Sequence, residues 1–136
     1  MPGPWPYRLE IADQVSNYTK RFRPPAPAFY ATVSFQGNLT TLPALIDTGA
    51  DLTVIPHSVA LLLGLPKVSE RSVGTASGDT EELRPVFKAD ISFLDFTFAN
   101  HPMVSLNRKR YMLIGRDILN LYKATFDGSN LQFNIE

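Results

Sequence analysis

The sequence predicts an all-β domain with one or two short helices, and three observations carry that prediction. Runs rich in β-branched and aromatic residues recur, Phe29–Phe35 and Val86–Phe98 most clearly, with partial period-two alternation. Turn chemistry separates them, at Gln36-Gly37-Asn38, at the small and Gly-containing stretch Ser72–Thr80, and near Leu94-Asp95. Helical composition is confined to short stretches such as Val59–Leu63.

Taken in order, residues 1–27 carry Pro at positions 2, 4, 6, 24, 25 and 27. Proline removes backbone donors and fixes φ, so this part reads as an extended arm, with a short strand at Tyr7–Ile11. Residues 28–136 form the folded domain. Phe29–Phe35 and the return strand Leu39–Leu42 make a hairpin that leads into the run Ala44-Leu45-Ile46. Pro56 ends the next strand, Ser58 is placed to cap a helix through Leu63, and Gly64 stops it. Ser72–Thr80 is the tip of a second hairpin. Phe87, Ala89, Ile91 and Phe93 then fall on one side of a strand at period two. A second short helix is expected at Asp117–Leu121.

Composition narrows the function. With 136 residues the chain fits one domain with a sizeable core and has no room for a second lobe. Thirteen basic and thirteen acidic residues give a formal net charge of zero, so no global field favours nucleic acid or an anionic membrane. The absence of cysteine excludes disulfides, a thiol nucleophile and cysteine-based zinc sites. His57 and His101 have no helical partner, and no metal or cofactor is expected. Apolar stretches fall far short of the ~20 residues that span a bilayer. The N-terminus has no secretory pattern, which points to a cytoplasmic protein and leaves the sequons at Asn17 and Asn38 without meaning. The basic run Asn107–Arg110 reads as a solvated turn.

The informative segment is Ala44-Leu45-Ile46-Asp47-Thr48-Gly49-Ala50-Asp51-Leu52-Thr53-Val54-Ile55, in which an apolar strand delivers one carboxylate to a Thr-Gly turn before a second apolar run. A second segment, Leu113-Ile114-Gly115-Arg116-Asp117-Ile118-Leu119, follows downstream. Together, in this order, they resemble the active-site and C-terminal motifs of retropepsin-like aspartic proteases. The ending Tyr122–Gly128 and Asn130–Phe133 is more similar to the retrotransposon and the cellular or bacterial branches than to the retroviral one. The resemblance spans residues Phe29 to Ile135. Opening on its own Met and ending soon after the last strand, the chain is expected to be a stand-alone product.

The resemblance implies a closed barrel, homodimeric, hydrolysing a peptide or protein substrate. Such hydrolysis needs one carboxylate to take a proton from water and a protonated neighbour to polarise the scissile carbonyl, a division of labour that the shared proton of aspartic protease dyads exemplifies. This chain has a single Asp-Thr-Gly. The second carboxyl is therefore expected from another copy, with Asp47 facing its own equivalent across a two-fold axis. Thr48 and Gly49 match the bracing hydroxyl and the close-approach glycine. Ala50 and Asp51 match substrate-contacting positions, and the resemblance pairs Asp51 with Arg116. Gly115 and Arg116 are expected to support the loop from below. By order along the chain, Gly74, Thr75, Ala76, Ser77 and Gly78 occupy the position of the flap that closes over substrate. The alternative from the same residues is a dimeric peptide-binding module that keeps the acid for structure and cuts nothing.

Overall fold

The computed structural model describes residues 15–74, 78 and 80–136. The expected strand Tyr7–Ile11 and four residues of the expected hairpin tip, Thr75, Ala76, Ser77 and Asp79, lie outside them. The first described elements lie within residues 15–27. Strand β1 (Ser16–Asn17) pairs with the last strand, and a bridge between Thr19 and Ala26 folds the segment that follows into a loop.

Strands β2 (Ala28–Phe35) and β3 (Asn38–Ile46) form the expected hairpin. Their two-residue turn puts both central residues at positive φ, Gln36 at 50° and Gly37 at 84°. That geometry matches the right-handed twist of the flanking strands. Across the hairpin, Thr32 and Thr41 face each other with hydroxyls 2.9 Å apart, a cross-strand pair of the kind that pins register.

Beyond the loop that follows β3 come β4 (Val54–Pro56) and helix α1 (His57–Leu62). Helix α1 begins one residue before the expected cap: Pro56 occupies the N-cap and no side chain caps the helix, so Ser58 falls inside the first turn and does not serve as the cap. The stop is as expected. Gly64, at φ 63°, lets its N–H reach the carbonyl of Leu61 and that of Leu65 reach Ala60, the paired bonds of a Schellman ending.

Strands β5 (Lys67–Gly74) and β6 (Glu81–Phe93) pair up to Gly74 and Glu81. A turn with Leu94 at φ 50° leads to β7 (Phe96–Leu106), then β8 (Met112–Ile114) and helix α2 (Arg116–Leu119). Helix α2 is shorter than the expected Asp117–Leu121 because its end tightens, Leu121 bonding back to Ile118 and Tyr122 to Leu119. Strands β9 (Ala124–Asp127) and β10 (Gln132–Ile135) complete a small sheet in the order β1-β10-β9.

The main sheet runs β2-β3-β8-β4-β7-β6-β5, and an additional β2–β6 pairing closes its first six strands into a barrel. Alternation sorts the side chains of these strands onto two faces. Ala44, Ile46, Ile55, Phe87, Ala89, Ile91, Met103, Met112 and Ile114 fill the interior, joined by Phe133 and Ile135 of β10. Full burial of each large apolar side chain contributes about 1.5–3 kcal/mol. Their neighbours Leu45, Val54, Val86, Val104 and Leu113 point the other way and form a second cluster with Leu52, Val73, Leu106 and Tyr111. The sheet is thus apolar on both faces here, with β5 contributing Val73 to the second cluster. No helix among the described residues is long and apolar enough to cross a membrane.

Candidate active site

Strand β8 lies between β3 and β4, parallel to β3 with Ile46 opposite Ile114, and antiparallel to β4 with Val54 opposite Leu113. The chain leaving β3 must therefore step over the end of β8 to reach β4. Residues Asp47–Thr53 make that step. The ladder persists for one residue beyond β3, since the Asp47 N–H donates to the carbonyl of Ile114 at 3.0 Å. By period two, Asp47 follows Leu45 onto the face of the second apolar cluster.

The Asp47 carboxylate is fixed within its own loop. Its Oδ1 accepts the Gly49 N–H at 2.8 Å, and the Asp47 carbonyl accepts the Ala50 N–H at 3.2 Å, closing a turn. A Cβ on residue 49 would sit 3.1 Å from that same Oδ1, so glycine leaves the carboxylate room. Asp47 is half-buried, whereas Thr48 and Gly49 are exposed at the crest of the loop. One carboxylate is therefore presented on a rigid base, with its surroundings open to solvent.

The downstream segment lies against this loop through Gly115 and Arg116. Gly115 is buried, and a Cβ there would lie 2.9 Å from the Ala50 carbonyl oxygen and 2.9 Å from the Leu52 carbonyl carbon. The next residue reaches up twice: the Arg116 N–H donates to the Ala50 carbonyl at 2.8 Å, and its Nη1 donates to the Thr48 carbonyl at 2.6 Å.

That second bond corrects the pairing of Asp51 with Arg116. The Arg116 guanidinium is committed to the Thr48 backbone, and Asp51 instead meets Arg71 of β5, with Nη2 at 2.5 Å from Oδ2. The reason is topological, since β5 brings a cation to the exit of the loop. Gly74 ends β5, and Gly78 is exposed at φ 76°, a left-handed conformation that favours glycine. Thr75, Ala76 and Ser77, between them, lie outside the described residues. The base of the hairpin thus stands over the loop exit through Arg71 and Val73.

Three residues of the site were not singled out from the sequence. Thr53 is fully buried, and both its N–H and its hydroxyl donate to Asp117 Oδ1, at 3.0 and 2.9 Å. The same hydroxyl accepts the Gly115 N–H at 3.2 Å. On its other oxygen, Asp117 accepts from His101 Nε2 at 2.7 Å. Burial opposes the charged form of Asp117, but the bonds from His101 and from the Thr53 N–H and hydroxyl outweigh it and hold its pKa below the usual carboxylate value. A lone hydroxyl inside the run Leu52-Thr53-Val54-Ile55 was the available signal, because a polar group in a buried run must find partners. Among the described residues no group of three or more His, Cys, Asp or Glu could hold a metal ion.

Residues 31–118 match the aspartyl protease family model. None of the curated proteins compared matches the chain. Among solved structures, a retropepsin-like aspartic protease from Rickettsia conorii superposes with a TM-score of 0.59 at 19% identity, covering 90% of this chain and 89% of that one. The EIAV protease complexed with the inhibitor HBY-793 gives a TM-score of 0.53 at 20% identity, with 70% and 86% covered. The protease of Simian Foamy Virus (mac) gives 0.51 at 18% identity, with 69% and 92% covered.

Proposed function

Because the chain belongs to the aspartyl protease family, we propose that it acts as a homodimeric endopeptidase in which Asp47 of each copy supplies one carboxyl of the catalytic dyad. The observation that carries this reading is the single Asp-Thr-Gly, whose acid is locked at the end of β3 while its crest stays open to solvent. One carboxyl per chain is half of what the chemistry requires. A second copy related by two-fold symmetry brings the same loop to the same place.

In the assembled site the two carboxyls share one proton, because two adjacent negative charges resist forming together. The ionised member takes a proton from water, and the resulting hydroxide oxygen bonds to the scissile carbonyl carbon. Its protonated neighbour donates to the carbonyl oxygen. Collapse of the tetrahedral adduct then breaks the C–N bond, with the amine nitrogen receiving a proton from the dyad. Thr48 braces the two loops through its hydroxyl, and Gly49 keeps the approach to the acid clear. Ala50, Asp51 and the hairpin residues Gly74, Thr75, Ala76, Ser77 and Gly78 contact the substrate backbone, the hairpin closing over it as a flap. Leu45 and Val73, partly exposed on the face of the second apolar cluster, favour substrates with apolar side chains near the cut. Residues 28–136 make up the protease domain and residues 1–27 its arm.

The test is cleavage of a mixed peptide pool by the wild type and by Asp47→Asn, at several protein concentrations. Asp47→Asn is isosteric and removes only the ionisable group, so cleavage is expected to vanish with the fold retained. Specific activity of the wild type is expected to fall on dilution as dimers dissociate. Cleavage that persists in a contaminant-free Asp47→Asn preparation would refute the reading; a wild type that binds peptides without cutting them would favour a binding module.

A further inference from the structure

The loop that carries Asp47 is anchored through residues 115–117, and Asp117 does its part only while its carboxylate is held at a set angle. Its Oδ1 serves both Thr53 bonds. Rotation about the Cβ–Cγ bond would swing that oxygen away, and the group on Oδ2 decides whether rotation occurs. That group is His101. The side chains of His101 and Asp117 are each only 16% exposed, so water has little access to take the place of the imidazole. An ionised carboxylate can only accept, so the ring carries its proton on Nε2.

His101 faces Asp117 because of a defect in the strand pairing. In the β6–β7 ladder Ile91 sits opposite Phe98 and Ala89 opposite His101, so Asp90 alone faces both Ala99 and Asn100. This is a β-bulge, and Asn100 takes φ 50° within it, a conformation asparagine tolerates better than most residues. The Asp90 carboxylate accepts the Asn100 N–H at 2.9 Å and so clamps the extra residue. Its effect is to change which residues point inward. Phe96 and Phe98 pack on the core before the bulge and Met103 lies within it afterwards, so the inward set shifts from even to odd numbers and carries His101 with it. Without the bulge, His101 would fall on the outward face with Ala99. Phe98 lies edge-on to the ring at 5.8 Å between centroids.

We infer that His101 is a positioning residue for the catalytic loop, aimed by the Asp90-clamped bulge so that it orients Asp117 and, through Thr53 and Gly115, fixes the loop that carries Asp47. The catalytic consequence rests on the reading of Asp47 as the catalytic acid. The anchoring itself does not.

The experiment compares His101→Phe, which keeps a ring without a donor, with His101→Gln, whose side-chain amide can donate from a similar place. Two readouts are taken, backbone amide hydrogen exchange and peptide cleavage kinetics. In His101→Phe, exchange at Thr53 and Gly115 is expected to quicken about ten-fold while the core of β6 around Ile91 is unchanged. The kcat is expected to fall about ten-fold with KM shifting less than about three-fold, since a displaced loop damages the transition state more than ground-state binding. His101→Gln is expected to restore both to within about three-fold of wild type. Equal behaviour of the two variants, or faster exchange spread evenly over the barrel, would mean that His101 merely fills space and would overturn the inference. So would an unchanged kcat in His101→Phe with an active wild type, a result that leaves proteolysis standing. A wild type that cuts nothing would instead refute the proteolytic reading, and the exchange comparison would still decide the anchoring.

Discussion

Gly115 and Ala50 approach so closely that a Cβ on Gly115 would stand 2.9 Å from the Ala50 carbonyl oxygen, and the Leu52 carbonyl carbon, at the same 2.9 Å, is backbone as well. Neither can swing away as a side-chain tip would. The loop bearing Asp47 therefore rests on a position where only a hydrogen fits, while the Arg116 N–H bonds to the very same Ala50 oxygen at 2.8 Å.

Gly115→Ala should consequently damage the site more than the barrel. Overpacking of this kind costs about 1–3 kcal/mol, and relief requires the loop to lift. The expected outcome is a lowered denaturation midpoint together with a disproportionate loss of kcat. Gly128→Ala serves as the control, since a Cβ there meets nothing within 4 Å. Equal effects of the two substitutions would contradict the argument.

Acid should weaken the Asp117 anchor only below the ordinary carboxylate range. The Asp117 pKa is held below its ordinary value, so the native state favours the charged carboxylate more than the unfolded chain does. The stability this contributes is complete above the unfolded carboxylate value of about 3.9 and is lost as pH falls through the lowered native value. In Asp117→Asn, urea midpoints should therefore depend less on pH in that acid window than in wild type. Asp127 is also lowered, by bonds from Asn130 and Ser129, and keeps part of the dependence in both proteins. Identical pH slopes for the two proteins would show that Asp117 is not the linked group.

The arm offers a third test. Tyr18 packs against Phe133, with ring centroids 6.2 Å apart, and its N–H donates to the Leu131 carbonyl at 2.8 Å. Removal of Met1–Arg21 deletes β1 and these contacts but leaves the β2–β6 closure intact. Unfolding should stay cooperative, with stability reduced by about 1–3 kcal/mol from lost burial and an unsatisfied carbonyl. Circular dichroism during urea titration reads both quantities. A broad, non-cooperative transition would show the arm to be part of the folding unit.

The hairpins, the Schellman stop at Gly64 and the inward set Phe87, Ala89, Ile91 and Phe93 were all legible in the sequence, because each rests on local chemistry or on a short period. Asp47 and its Thr-Gly turn were legible for the same reason. The first-turn placement of Ser58 and the early end of α2 were not. Both depend on a shift of one or two residues at a helix end, where backbone geometry outweighs composition.

Determined by the sequence alone were the all-β pattern, the single Asp-Thr-Gly and the glycine-arginine pair that follows it downstream, since all three are properties of adjacent residues. Tertiary structure alone decided the partners. Asp51 meets Arg71 while Arg116 takes the Thr48 carbonyl, and His101 joins Asp117 because one extra residue in β7 turns the ring inward. Hydrogen bonds are short and directional, so these choices wait on the insertion of β8 between β3 and β4 and on the register of β6 with β7. Neither is written in any window of neighbouring residues.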